Sequence, residues 1–288
     1  MKWDDLKVNP VTAALYRAVL GRRCRSVESY IFVATTGRSG SMSLRMILEA
    51  VPGCTAVHEP YPDLMGPVLV AYNDGDERPL RREFKLRKVP NIYRAAAGHR
   101  WYAETNHGFI KCFCGVAAEY FGARMQVVHM VRQPAAVARS LLLRKTVPGR
   151  TRSGREYLID PAAPRNAVQV SDVLADGGRF AHDYFRCLWY WYEIEARFRR
   201  FRRAHPEVRT HDIETEGLND HDRVAELLTG LGMPADPDVL ARTVGVRANV
   251  SEVSPPAPEG VSESDIAAFT ELCEAKLEAA AGAPADRD

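Results

Sequence analysis

Two apolar periods alternate along this chain, and each marks a different kind of element. Residues 30–35 (Tyr-Ile-Phe-Val-Ala-Thr) form a short apolar run, the pattern of a strand buried on both faces. A small polar stretch with two glycines follows, and helical spacing then runs over 42–50 until Val51-Pro52-Gly53 supplies the breakers. Further strands are predicted at 54–58, 109–113, 125–131 and 207–213. Helices are predicted at 11–20, 116–121, 134–145, 179–204, 219–231, 236–244 and 263–280. Pro134 suits the first turn of its helix, where a missing N–H costs nothing. Strands alternating with helices predict an α/β fold with a parallel sheet flanked by helices.

The remaining segments lack clear periodicity. Residues 63–101 are polar, carry a basic stretch at 78–88, and read as an irregular insertion that could cover a substrate. Residues 147–178 hold several prolines and glycines and read as a mobile loop; the tail 281–288 is expected to fray. With no internal repeat and no linker-like stretch, the expectation is one domain over residues 1–288.

Composition narrows the partners. Hydrophobic residues at 46% are enough for a sizeable core, and a formal charge of +2 argues against a general polyanion binder such as a nucleic-acid protein. No stretch reaches the roughly 18 apolar residues of a membrane span. The first five residues, Met-Lys-Trp-Asp-Asp, lack a signal-peptide core, so a cytoplasmic location is expected. The six cysteines are scattered; Cys112 and Cys114 alternate on an expected strand without a second pair, which reads as free thiols and not a zinc site.

The chemistry concentrates between the first strand and the first long helix. Thr36, Gly37, Arg38, Ser39, Gly40, Ser41, Met42 and Ser43 place backbone N–H groups, hydroxyls and a permanent cation beside a helix N-terminus. That combination holds an anion, and a phosphorylated ligand is expected. It is not a Walker A loop, which needs G-x-x-x-x-G-K-[ST]. The string Thr-Thr-Gly-Arg-Ser-Gly-Ser (35–41) resembles the 5′-phosphosulfate loop of sulfotransferases that use 3′-phosphoadenosine 5′-phosphosulfate (PAPS), particularly carbohydrate and bacterial types.

A second constellation follows the 125–131 strand. Arg132 ends it, and Ser140 lies eight residues on, two turns into the next helix. Alone, each has a bland reading: an ion-pair arginine and a helix-packing serine. Together they resemble the family's 3′-phosphate motif, in which an arginine fork and a hydroxyl bind a terminal phosphate. A kinase or NTPase would end such a strand in a magnesium-binding Asp. Here the neighbouring residue is arginine.

His58 and Glu59 end the second strand and are the candidate general bases. Neighbouring strand residues point to opposite faces, so one of the two is expected to act. The Glu59-Pro60 pair resembles that of carbohydrate sulfotransferases, which favours Glu59. Arg38 and Glu59 are expected to face one crevice at the carboxyl ends of the strands.

Other residues stay open. Glu104-Thr105-Asn106-His107 resembles a segment in bacterial relatives and reads equally as acceptor binding or turn stabilisation. Lys111 reads as a sulfonate contact or a core-edge lysine. The aromatic run 188–192 reads as packing, the arginines from 197 to 203 as a solvated face, and Arg247 and Asn249 as late additions to the 3′-phosphate site. The C-terminal Gly-x-x-Gly-x-x-Lys of small-molecule sulfotransferases is absent.

The resemblance implies a P-loop-type sheet and an O-sulfotransferase that uses PAPS and no metal. Arg38 and the loop would stabilise the leaving phosphate. The expected partner is a small-molecule acceptor with a hydroxyl (a carbohydrate, glycolipid or other metabolite), with a homodimer open as a further partner. A nucleotide kinase or NTPase, and a catalytically silent nucleotide-binding protein, are the alternatives.

Overall fold

The computed structural model describes residues 10–245 and 258–282. Five strands form one parallel sheet in the order β2-β3-β1-β4-β5: β1 Ser29–Ala34, β2 Cys54–His58, β3 Trp101–Thr105, β4 Met125–Val131 and β5 Arg209–Glu214. β1 lies at the centre, and all six of its residues are buried, as a strand covered on both faces must be. Tyr30 and Phe32 enter the apolar core on one face, while Ile31 and Val33 enter the core on the other.

Helices cover both faces. α2 (Ser41–Glu49) buries Leu44, Ile47 and Leu48, and shares its core with α10 (His221–Gly230) and α11 (Pro237–Thr243). The opposite core is largely aromatic. Phe32 stacks on Phe109 at 5.1 Å and Tyr30 on Phe121 at 4.3 Å, between β1 and the segment carrying α6 (Cys114–Phe121). α7 (Pro134–Leu143), α9 (Asp183–Ala204) and α12 (Glu263–Gly282) complete that side, with α1 (Pro10–Arg23) beyond.

The third strand is not where the apolar pattern puts it. Residues 109–113 form a widened π turn leading into α6, and β3 is Trp101–Thr105. The run Phe-Ile-Lys-Cys-Phe is short enough to fit either a strand or a buried helical turn, and Gly108 N–H donating to Asn106 Oδ1 (2.8 Å) commits it to the turn. β3 hides its identity because it buries a charge. Glu104 is met by Lys88 Nζ at 2.6 Å, Tyr102 OH at 2.8 Å and Asn106 Nδ2 at 2.9 Å. Cys112 and Cys114 accordingly lie on helical backbone, not a strand, and all six cysteines are free.

Two expected irregular segments are built. Residues 63–101 contain α3 (Pro67–Asn73), α4 (Arg78–Glu83), a π turn (Phe84–Lys88) and α5 (Val89–Ala96). Their short lengths and three early prolines explain why no long helical period shows. Residues 147–178 include α8 (Arg152–Tyr157) and are anchored, not mobile. The buried Glu193 carboxylate accepts from Ala167 N–H at 3.0 Å and Val168 N–H at 2.9 Å, and Trp189 Nε1 donates to the Val168 carbonyl at 2.7 Å. Arg197 is likewise no surface charge: it is buried and donates to Glu193 at 2.7 Å and to the Lys111 carbonyl at 2.7 Å. α12 extends through Gly282, past the expected start of the tail; residues 283–288 lie outside the described part of the chain. Among the described residues, no helix is long and apolar enough to cross a membrane.

Candidate active site

The loop between β1 and α2 leaves the centre of the sheet with left-handed backbone at Gly37 (φ 76°), Arg38 (φ 59°) and Gly40 (φ 84°). Gly40 is also the N-cap of α2, so it brings no capping side chain, and the first turn carries no acid. Such a turn aims N–H groups and the positive end of the helix at one point. A Cβ on Gly40 would stand 3.2 Å from Leu218 Cδ1 and 3.3 Å from Thr215 Cγ2. Arg38 holds a conformation that costs a non-glycine residue about 1–2 kcal/mol, strain of the kind concentrated at functional sites.

Two of the loop hydroxyls shape the loop itself. Thr36 Oγ1 donates to the Gly37 carbonyl at 2.7 Å and meets Ser39 Oγ at 2.9 Å, while Ser39 Oγ lies 3.0 Å from the Gly37 carbonyl. Ser41, Met42 and Ser43 form the half-buried first turn of α2. Neighbouring elements clamp the turn: Tyr190 OH donates to the Thr36 carbonyl at 2.9 Å, and Thr215 Oγ1 to the Ser39 carbonyl at 2.8 Å.

The second anchor meets the first at Arg38. Arg38 Nε donates to Ser140 Oγ at 3.1 Å, and Arg132 Nη1 donates to the Arg38 carbonyl at 2.7 Å. Trp191 Nε1 holds the Arg132 carbonyl at 2.8 Å. The aromatic run is therefore core, as its packing predicts, but two of its polar tips fix the two anchors. Burial, then Arg144 and Arg132, push the Arg38 guanidinium below its ordinary pKa. A guanidinium whose charge is opposed by burial and by neighbouring arginines marks a place where an anion is favoured.

Glu59 reaches the same crevice from β2. Its φ of 44° breaks the strand alternation, so His58 and Glu59 do not part to opposite faces; His58 Nε2 lies 3.9 Å from Glu59 Oε1. His58 Nδ1 pairs with Thr105 Oγ1 at 2.9 Å. His107 Nε2 stands closer, 3.3 Å from Glu59 Oε1, and its ring is the nearest neighbour of a Cβ placed on Gly37, at 3.4 Å. Arg38, Glu59 and His107 thus share one site.

His107 and Lys111 belong to this site more closely than their sequence readings implied. His107 is pushed well below the ordinary imidazole value by burial, then by Lys111, His58 and Arg38. Lys111 lies in the π turn, fully buried, and contacts His107 Nδ1 and the Tyr157 carbonyl. The only early signal was a lysine inside an apolar run, which fixes neither its partner nor its direction. Arg247 and Asn249 lie outside the described residues. Tyr61 to Met65, Pro67 and Val68 line a cavity of about 660 Å³ together with Arg78, Pro79, Arg82 and Arg87; Arg38, Glu59 and His107 are not among its lining residues. Most of its charges are paired, Arg78 with Asp76 at 2.8 Å and Arg87 with Glu83 at 3.3 Å. Among the described residues, no group of three or more His, Cys, Asp or Glu side chains is arranged so that it could hold a metal ion.

No family model and no curated protein matches the chain. Solved structures do. The sulfotransferase domain of the curacin biosynthetic pathway aligns with 77% of this chain and 80% of its own at TM-score 0.44 and 15% identity. A sulfotransferase of Alicyclobacillus acidocaldarius aligns over 87% and 94%, at TM-score 0.46 and 19% identity. A mouse sulfotransferase, SULT7A1, solved with PAP, aligns over 90% and 89%, at TM-score 0.44 and 16% identity. In fold, the chain is similar to sulfotransferases.

Proposed function

We propose that this protein is an O-sulfotransferase that moves a sulfuryl group from PAPS to a hydroxyl of a carbohydrate, glycolipid or other small metabolite. One observation carries the reading: the β1–α2 loop and the Arg132–Ser140 pair converge on Arg38 from separate strands. Such a convergence suits a ligand with two anionic ends. The residues fit that ligand chemically, because the left-handed glycines open the loop backbone and the surrounding cations favour a dianion.

PAPS, when bound, would supply the sulfuryl group: a new bond from the acceptor oxygen to sulfur replaces the S–O bond of the P–O–S bridge, whose oxygen leaves on the phosphate of 3′,5′-ADP. Residues 37–43 hold the 5′ end, and Arg132 with Ser140 hold the 3′-phosphate. Glu59 takes the acceptor's hydroxyl proton on its carboxylate. His58, engaged with Thr105, is the second candidate base. Arg38 and the loop N–H groups balance the charge that grows on the leaving phosphate, a preorganised electrostatic contribution.

Thermal shift with 3′,5′-ADP against ATP-magnesium tests the donor. Ligand at a hundred times its Kd stabilises by about 2.7 kcal/mol, so 3′,5′-ADP should raise the Tm and ATP-magnesium should not. The reverse result overturns the reading in favour of a kinase or NTPase. Labelled-sulfate transfer from PAPS into cell extracts then separates an enzyme from a silent nucleotide-binding protein and identifies the acceptor.

A further inference from the structure

We infer that Arg144 is a third arginine of the nucleotide site, binding the 3′-phosphate beside Arg132 and Ser140. The inference rests on the PAPS reading and adds a residue that neither anchor motif contains.

The end of α7 places Arg144. Its backbone N–H donates to the Ser140 carbonyl at 3.3 Å, which closes the last turn of the helix and sets the two side chains on one face. Lys145, with φ 53°, then turns the chain away. Ser140 is where Arg38 arrives, through Nε at 3.1 Å, and Arg132 reaches the Arg38 carbonyl at 2.7 Å. Three arginines from three segments of the chain therefore gather around one hydroxyl. Among the described residues, none of the three has a carboxylate at ion-pair distance. Arg144 opposes the charge on Arg38, and does so ahead of Arg132. The other arginine of α7, Arg139, acts on Tyr184 of α9 instead.

The charges of the proposed site leave a place for it. A phosphate monoester is close to a dianion at neutral pH. Arg132 brings one positive charge, and one of its N–H donors is already engaged by the Arg38 carbonyl. Ser140 Oγ accepts from Arg38, which leaves its O–H to donate but adds no charge. Arg38 serves the 5′ end in the reading above. Arg144 supplies the second cation, exposed to an arriving ligand and one helical turn from Ser140. A basic residue at a helix C-terminus also has a plain role, because it interacts favourably with the negative end of the dipole. That role gives no reason to stand beside two other arginines, where each cation disfavours the next. A dianion seated among them reverses the sign of the arrangement.

Isothermal titration of the full chain with 3′,5′-ADP and with 5′-AMP, which lacks the 3′-phosphate, isolates what that group contributes. The wild type should bind 3′,5′-ADP the more tightly. In Arg144→Gln the 3′,5′-ADP affinity should fall about tenfold, while 5′-AMP affinity stays within about twofold and the Tm of the free protein hardly moves. Arg144→Glu should lose more 3′,5′-ADP affinity than Arg144→Gln, because the new carboxylate repels the phosphate. Equal losses for the two nucleotides, no loss for 3′,5′-ADP, or Arg144→Glu binding as well as Arg144→Gln would each overturn the inference. So would a lowered Tm with the ratio of the two affinities intact, which is the mark of a helix-end role alone. A wild type with no preference for 3′,5′-ADP over 5′-AMP would remove the PAPS reading itself, and this inference with it.

Discussion

Arg132 Nη1 donates to the carbonyl of Arg38 at 2.7 Å, joining the residue after β4 to the turn after β1. The two residues are 94 positions apart in sequence and belong to neighbouring strands of the sheet. Arg38 answers through its side chain, donating to Ser140 on α7. The two segments proposed to bind the donor's anionic ends are therefore one mechanical unit. Disturbing either should alter both.

Arg132→Ala should weaken 3′,5′-ADP binding by 10- to 100-fold, about the 1.5–3 kcal/mol of a hydrogen bond to a charged group. Ser140→Ala should cost less, about tenfold, because a hydroxyl contributes one weaker bond. Isothermal titration of both variants measures this. Because Arg132 also holds the loop carbonyl, its loss should slow transfer beyond what saturating donor restores; full recovery of kcat would confine Arg132 to donor binding.

Glu59→Gln preserves shape and removes the carboxylate proposed as the base. Turnover should fall about 10²- to 10⁴-fold, while 3′,5′-ADP affinity stays near wild type. Rapid-quench transfer assays beside calorimetry separate the two. A strongly weakened donor affinity would place Glu59 in the donor site.

Gly40→Ala should destabilise the fold. The residue has φ 84°, and the new methyl would press on Leu218 at 3.2 Å and Thr215 at 3.3 Å. The left-handed penalty alone is about 1–2 kcal/mol, readable as a lower urea midpoint. An unchanged midpoint would mean that the loop relaxes into another conformation.

The buried Lys88–Glu104 pair, 2.6 Å apart, gives a sharper stability test. Lys88→Met leaves the Glu104 carboxylate without its cation and should cost about 3–5 kcal/mol. The double variant Lys88→Met with Glu104→Gln should recover part of that loss. If the double variant is as unstable as the sum of the singles, the pair is not coupled.

His129 predicts a pH dependence. Burial opposes its charge, but hydrogen bonds to Asp212 (2.8 Å) and Glu195 (3.2 Å) prevail and raise its pKa above 6.5. A raised pKa means the folded state binds the proton more tightly, so this stabilisation is complete below the unfolded value and fades as pH rises through the folded one. The stability difference between wild type and His129→Gln should therefore shrink between pH 6 and the alkaline side of the folded pKa. A difference constant across that range would show that His129 is not charged in the folded protein.

The same histidine shows what local pattern can convey. Residues 125–131 read as a strand because the run is apolar and β-compatible, and six of the seven are indeed buried, but nothing there places Asp212 or Glu195 beside His129. The β1–α2 loop was legible for a related reason. Its glycines, hydroxyls and cation stand within seven consecutive residues, and chain connectivity alone brings those together. Lys111 is the opposite case. Its partners are a ring on the preceding turn and a carbonyl 46 residues away, and neither is implied by an apolar Phe-Ile-Lys-Cys-Phe run.

The sequence by itself determined the α/β class, four of the five strands, the glycine-containing turn between β1 and α2, and the Arg132–Ser140 spacing. Each is a property of adjacent residues: a period, a turn, or a helix start. Tertiary structure decided where β3 lies, because a strand that buries Glu104 is stable only with Lys88 brought from another element. It also decided that residues 147–178 are anchored, through the buried Glu193. Above all it decided that Arg132 and Ser140 close on Arg38 while Glu59 meets His107. Those contacts depend on strand order, and strand order is fixed only when both faces of the sheet are packed.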